Sequence, residues 1–457
     1  MEKYIVETLK TPIHYECDVL VCGGGTTGFT AALAAARNGA KTILIEREGY
    51  VGGALINGAG PIHSFFNLYK AFENAERVQV VRGFAQEMID CMVEKGLSPG
   101  HLEMDKGGSY DSVITLIDWE GFKDVAHQML EEAGVTILLH VMAAGTVMED
   151  NTIKGVIIEG KSGREVISAK VVIDTTGDGD IAAFAGAEFV KKHDTTNVGF
   201  PFGMSNVDMP KLVKFLEEHD MVNQIIHADK GDDYDDVIRL GFELKKMPLF
   251  KEFMDKNGMW GPLGVSLHPG NYNYINSAAL QNVDTTNTLE FSKAEITLRH
   301  QATTLALMLK EHIPGFENAY ISWTPACAGV RYTRAIICEH DMTNEEIVNC
   351  TRFDDEVMLY GFHDCAPKVR INNAGYYGIP YRAFIPVKLE GMLVGGRLIT
   401  TDWTAHMSTR NTGSCLAQGQ AIGTAAALCC KEGVPVRNVN IKELQKILRE
   451  QGAYLGD

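Results

Sequence analysis

No run of some 18 apolar residues occurs in the 457-residue sequence, so hydropathy predicts no membrane-spanning helix. The opening stretch, 1–10, is charged and has no apolar core of the kind a secretory signal needs, which makes the cytoplasm the expected location. Ten cysteines are scattered without a C-x-x-C pair or the spacing of an iron–sulfur cluster, and no metal site is expected. Only Cys429 and Cys430 are close together. They fall in an alanine-rich helical stretch where burial as small apolar groups is the expectation. Positive charge is also short: 42 Lys and Arg stand against 59 Asp and Glu, a formal net charge of −17. Nucleic acids and anionic membranes both require clustered cations to neutralise phosphate, so neither is an expected partner. Internal repeats and low-complexity tracts are lacking too. What remains is ordinary globular composition, 45% hydrophobic and 22% charged, in a chain long enough for two domains or for one with a large insertion.

The first fifty residues carry the strongest local pattern. Tyr15 to Cys22 ends in the short apolar run of a buried parallel strand. Gly23-Gly24-Gly25-Thr26-Thr27-Gly28 follows at once, then the helix-forming Phe29 to Arg37, with Gly39 where a left-handed residue should stop the helix. Lys41 to Glu46 reads as a second strand, completing a βαβ unit. Each glycine has a physical reason. Gly23 permits a tight turn, Gly25 lets the backbone approach a pyrophosphate, and Gly28 lets the helix pack closely on the strand. The phosphates would sit at the helix N-terminus beside Thr27, where amide N–H groups lack partners. Glu46, 21 residues after Gly25, is placed to accept hydrogen bonds from a ribose. The unit therefore predicts dinucleotide binding, the alternative being a glycine-rich turn without a ligand.

The acid continues into Glu46-Arg47-Glu48-Gly49-Tyr50-Val51-Gly52-Gly53. This acid-then-glycine-pair pattern resembles the flavin branch of the dinucleotide fold. The resemblance implies FAD rather than NAD, with the chain after the pair, Ala54 to Asn57, passing under the flavin ring. Ala169 to Asp180 looks like a second FAD motif, a buried strand with Gly177 and Asp178 in its closing turn. It follows a predicted hairpin around Gly160-Lys161-Ser162-Gly163. Nearer the C-terminus, Gly391 to Arg397 is a strand ending in glycines, and Arg410-Asn411-Thr412-Gly413-Ser414-Cys415 opens an Ala/Gly-rich helix. Small residues at 413 and 414 would let the free N–H groups of that helix approach the pyrimidine edge of a flavin, the alternative being close helix packing. Together with Asp118 to Lys123, Gly329 to Arg334, Tyr377 to Arg382 and His406 to Arg410, these pieces resemble the FAD-dependent oxidoreductase family with the glutathione-reductase type of FAD fold, in particular the group related to the flavin subunit of heterodisulfide reductase. The implied fold class is α/β: an FAD/NAD(P)-binding Rossmann-like domain assembled from 1–60, 112–185 and 385–435, and a largely helical substrate or cap domain from 61–111 and 186–384. Residues 436–457 would add a terminal helix, with Asn440 as its cap.

Polar residues near the implied ring position are the catalytic candidates. His406 and Arg410 precede the helix that would face the ring, one able to exchange a proton near neutral pH and the other to hold a carboxylate or reduced flavin. Asn57 and His63 follow the glycine pair. Arg331 and Arg334 lie in the expected lid, where either a substrate contact or a structural ion pair fits. Arg397, after Gly396, stands where many flavoproteins of this fold have an Asp on the ribityl chain, which leaves backbone contact from Gly396 as the expectation. Most of 205–313 reads as helical, including Thr288 to His312, and Asp232 to Asp236 reads as a solvated helix start rather than a cation loop. The expected activity is a dehydrogenase or reductase acting on a C–C or C–O bond of a small metabolite by hydride transfer. No second G-x-G-x-x-G follows a strand, so electrons would be exchanged with the substrate, a transient NAD(P)H or a redox partner protein. A flavin-dependent hydroxylase, an electron-transfer subunit and a flavoprotein without turnover are the alternatives, and a homo-oligomer is left open.

Overall fold

The computed structural model describes residues 5–58, 62–63, 65–104, 112–191, 196–227, 237–261, 263–265 and 271–456. Its first strand, β1 (Ile13–Cys22), leads through α1 (Thr26–Arg37) to β2 (Thr42–Ile45), which lies parallel to β1 with Cys22 opposite Ile45. On its other side β1 runs parallel to the strand Gly163–Asp174, Cys22 opposite Asp174. Met392–Val394 adds a further parallel strand there, Val394 opposite Asp174. The carboxyl ends of strands from three distant parts of the chain thus meet at Cys22, Asp174 and Val394. In an open parallel sheet that edge is where ligands bind. The strands are continuous apolar runs because both faces are covered: Val19 to Cys22 are fully buried.

The hairpin forms where expected, Thr152–Gly160 antiparallel to Gly163–Asp174 with Gly160 opposite Gly163, and Met142–Glu149 extends it. The long helix Thr412–Glu432 packs along α1. Its composition follows from that contact, since a Cβ at Gly419 or Gly423 would be driven into the carbonyl oxygens of Thr27 or Ala31. The Thr30 hydroxyl donates to Leu416 O at 2.8 Å across the same seam.

A second core is built on an antiparallel sheet of Asn271–Gln281, Thr196–Ser205 and Tyr320–Trp323. The helix Thr288–His312 covers it, with the expected bounds, Asn287 accepting from the N–H groups of Leu289 and Glu290. The helical reading of 205–313 is amended, however. Helices Met209–Glu218 and Pro248–Lys256 alternate with a three-stranded sheet of Val222–His227, Val237–Phe242 and Leu263–Val265. Short apolar runs such as Val237–Phe242 carry no period that separates a strand from a buried helix turn. Side chains from Phe65 to Met92 and from Ile336 to Leu389 share the core of the parallel sheet. The terminal helix Ile441–Glu450 is capped by Asn440, which accepts from Glu443 N. The acidic stretch 232–236 lies outside the described residues. Among the described residues no helix is long and apolar enough to cross a membrane, and no group of three His, Cys, Asp or Glu is placed to hold a metal ion.

Candidate active site

At the end of β1 the chain turns sharply, and Gly23 takes φ +98°, a conformation that favours glycine. A Cβ there would lie 2.6 Å from Thr175 O on the neighbouring strand. Gly28 is closer still to its surroundings: its Cβ would overlap Gly23 O and lie 2.7 Å from Thr175 Oγ1. Gly25 is different. It is the N-cap of α1, no side chain caps that helix, and a Cβ on it would meet no atom within 4 Å. The first glycine and the third therefore hold strand and helix together, while the middle one faces a cavity over uncapped N–H groups. That is the cradle a pyrophosphate requires.

The glycine pair lies against this turn. Gly52 N donates to Gly24 O at 2.8 Å, and a Cβ on Gly53 would lie 2.8 Å from Gly25 Cα. Glu46 accepts from Gly24 N at 2.7 Å and from Glu48 N at 3.0 Å. Burial pushes its carboxyl above the ordinary range, against those two bonds. Asn57 accepts from the Tyr50 hydroxyl at 2.8 Å.

One cavity of about 390 Å³ joins these pieces. It is lined by Gly23, Gly25, Thr27, Glu46, Arg47, Gly53, Ala54 and Asn57, by Gly177 and Asp178, and by Gly396 and Arg397, all expected at the cofactor. Gly28, Gly52, Gly413 and Ser414 are not in its lining. Gly28 serves packing, and at the long helix it is Thr412 and Cys415 that reach the cavity, while Ser414 is buried with its hydroxyl taking a bond from Gln418 Nε2.

Arg397 resolves the missing Asp after Gly396. Its Nη2 donates to Asp178 Oδ1 at 2.8 Å, and Thr333 Oγ1 donates to the same oxygen at 2.6 Å. A carboxylate from the second motif thus stands beside the arginine. Burial pushes the Asp178 carboxyl up, but Arg397 and Thr333 outweigh it and hold the group below its ordinary value. The expected backbone contact from Gly396 is otherwise engaged, since its N–H donates to Gln418 Oε1 at 2.7 Å. Arg334 takes the structural alternative, pairing with Asp180 at 2.7 Å.

The far wall of the cavity is formed by Arg239, Tyr274, Asn276, Arg331, Asp364 and Arg410. Arg410 is ion-paired with Asp364. His406 is placed differently from the expectation. It is 1% exposed, outside the cavity lining, stacked on Trp403 at 5.7 Å and edge-on to Tyr332 at 4.6 Å, with Nε2 3.2 Å from Arg331 O. It supports the backbone of Arg331 from behind. His63 belongs to the two-residue strand Ile62–His63, opposite Ile114, and its side chain lies outside the described part. Sequence reasoning missed Arg239, Tyr274 and Asn276. A signal existed for the first, since Val-Ile-Arg-Leu-Gly-Phe sets a lone cation in an otherwise apolar strand, a costly arrangement without a partner.

The family described as FAD dependent oxidoreductase matches residues 18–448, and the chain belongs to it. It is an FAD-dependent oxidoreductase with FAD as its cofactor. Among curated relatives, thiamine thiazole synthase of Methanococcus maripaludis is 26% identical over 170 residues, 35% of this chain and 56% of that protein. Protein FixC of Escherichia coli O157:H7 is 28% identical over 199 residues, 43% of this chain and 44% of its own length. A solved geranylgeranyl bacteriochlorophyll reductase-like protein from Thermoplasma acidophilum shares 13% identity over 96% of this chain and 84% of its own, with a TM-score of 0.47. The chain spans about half the length of the curated relatives it matches.

Proposed function

We propose that this oxidoreductase is a dehydrogenase or reductase acting on a C–C or C–O bond of a small organic metabolite held between the glycine cradle and the arginine-bearing wall. The observation that carries this reading is that one cavity is lined both by Gly25 and Glu46 and by Tyr274, Asn276 and Arg331. FAD, when bound, supplies the two-electron chemistry. The chain supplies position and hydrogen bonds. Gly25 and the uncapped start of α1 would receive the pyrophosphate, and Glu46 would accept from the ribose hydroxyls. The helix start at Thr412 turns its positive end to the cavity, favouring negative charge there. Arg410 is aimed by Asp364. Tyr274, a phenol whose pKa burial raises, lines the same cavity and can donate a hydrogen bond from its Oη to a reacting oxygen.

The finer kinship, to the flavin subunit of heterodisulfide reductase with the glutathione-reductase type of FAD fold, belongs to the same proposal and rests on the motifs quoted above. So do a cytoplasmic setting, electron exchange with NAD(P)H or a redox partner protein, assembly as a homo-oligomer, and the exclusion of nucleic acid and membrane as partners. The test is the visible spectrum of the flavin-loaded protein, followed anaerobically during additions of NADH, NADPH and a panel of alcohols, hydroxy acids, alkenes and unsaturated acids. Bleaching by a nicotinamide, an alcohol or a hydroxy acid, or reoxidation of photoreduced flavin by an alkene or unsaturated acid, supports the reading. Oxygen uptake tied to a hydroxylated product would replace it with the hydroxylase, and a flavin that none of these reduces or reoxidises would refute it.

A further inference from the structure

Arg397 follows the strand Met392–Val394 at the ligand edge of the parallel sheet, and its surroundings fix the guanidinium in one place. The preceding Gly396 abuts the first turn of α1, since a Cβ on it would lie 3.0 Å from Thr27 Oγ1. The guanidinium itself lies over Gly177, where a Cβ would stand 2.8 Å from both Cζ and Nη1. Gly177 takes φ +83°, so both conformation and space keep that face bare. Two residues earlier, Thr175 O packs against the Gly23 turn, 2.6 Å from where a Cβ would be. Arg397 thus lies beside the turn that opens α1, and it lines the cavity together with Gly177 and Asp178. Only one edge of the guanidinium is taken by the protein. Nη2 donates to Asp178 Oδ1, which Thr333 Oγ1 holds from a second direction, and this is the one hydrogen bond of Arg397 among the described residues. A guanidinium offers five N–H donors in a fixed plane, so a carboxylate on one edge leaves Nη1 to present another to an anion. The uncapped start of α1 is where FAD brings its anionic pyrophosphate.

We propose that Arg397 is a second grip on the pyrophosphate of FAD, donating from Nη1 to a phosphate oxygen that the N–H groups of α1 also hold. Asp178, Thr333 and Gly177 are the positioning residues that keep its guanidinium there. The assignment concerns how the cofactor is held and stands whichever substrate the flavin serves. FAD is titrated into the flavin-free full-length protein by fluorescence quenching, and phosphorus NMR spectra are recorded on the flavin-loaded protein. Arg397→Met is expected to weaken FAD by about ten- to a hundredfold, the worth of one charge-assisted hydrogen bond. Arg397→Lys keeps a cation without the planar fork, so it should recover part of the loss while shifting at least one phosphorus resonance of bound FAD. Gly177→Ala leaves the arginine in the chain but pushes its guanidinium aside, and it should reproduce the loss of affinity. Thermal midpoints are followed alongside, and if the Met or Ala variant unfolds, the phosphorus spectrum of Arg397→Lys decides. A folded Arg397→Met that binds FAD as tightly as wild type overturns the proposal. So does an Arg397→Lys protein whose phosphorus resonances stay in place. If its visible flavin bands move instead, the contact belongs to the ring or the ribityl chain and the pyrophosphate grip is refuted.

Discussion

Alanine at Gly25 should separate cofactor binding from folding. Gly25 adopts φ −67° and ψ −172°, open to any residue, and its Cβ position touches nothing within 4 Å. The fold therefore loses nothing by collision, and a less flexible unfolded chain raises stability by about 0.4–1 kcal/mol. The added methyl stands instead where a phosphate must approach the first N–H groups of α1, whose bonds close at about 2.9 Å. Losing two charge-assisted bonds of about 1.5–3 kcal/mol each weakens FAD by a hundredfold or more. Gly28→Ala is the contrasting lesion. Its Cβ overlaps Gly23 O and lies 2.7 Å from Thr175 Oγ1, both fixed by the strands, so α1 must withdraw at a cost of about 1–3 kcal/mol or more. Urea unfolding of the apoprotein measures the first quantity, and quenching of flavin fluorescence on titration measures the second. A Gly25→Ala protein that binds FAD as wild type does, or that loses as much stability as Gly28→Ala, refutes the assignment of the two glycines.

Three other perturbations test the surroundings. Arg397→Met strips Asp178 of its partner; both side chains are 19% exposed and Thr333 still donates, so a loss of about 2 kcal/mol at pH 7 is expected from urea unfolding. Because the folded pKa of Asp178 is depressed, the pair stabilises above the ordinary value of 3.8 and that support is lost as pH falls below it, an acid limb that should shrink in the variant. Asp174 has the opposite sign. Its pKa is raised from 3.8 to about 6 by burial, so its contribution is complete below 3.8 and is lost as pH rises through about 6, a fall of about 3 kcal/mol that Asp174→Asn should flatten in denaturation curves from pH 3.5 to 7. His406→Gln should raise KM several-fold by loosening Arg331 while leaving the pH profile of kcat in place; a limb of that profile lost in the variant would return His406 to proton transfer.

The parts of the fold legible in the sequence are those written in neighbouring residues. Gly23, Gly25 and Gly28 sit within six positions because one turn must satisfy strand, anion and helix together. Asn287 and Asn440 announce helices because a cap acts on the next three N–H groups. Arg397 shows where local reading fails. Beside Gly396 it contradicts the expected carboxylate, and only the parallel pairing of Met392–Val394 with Gly163–Asp174 brings Asp178, 219 positions away, to its side. The same holds for proton transfer. His406 has the right chemistry in the right stretch, yet the turn of the helix Trp403–Thr409 buries it against Trp403 and Tyr332. The groups that face the cavity come from strands at 239 and 274, from a loop at 331, and from 364 and 410, and no stretch of sequence sets them side by side. A cofactor cradle must bind the same phosphates in every relative and can be built in one turn. A substrate wall needs groups converging from several directions, and only tertiary structure assembles those. The chemistry of such a wall is therefore best sought by asking which buried charges the local sequence cannot justify, and Arg239, alone among Val237, Ile238, Leu240 and Phe242, is the first that question finds.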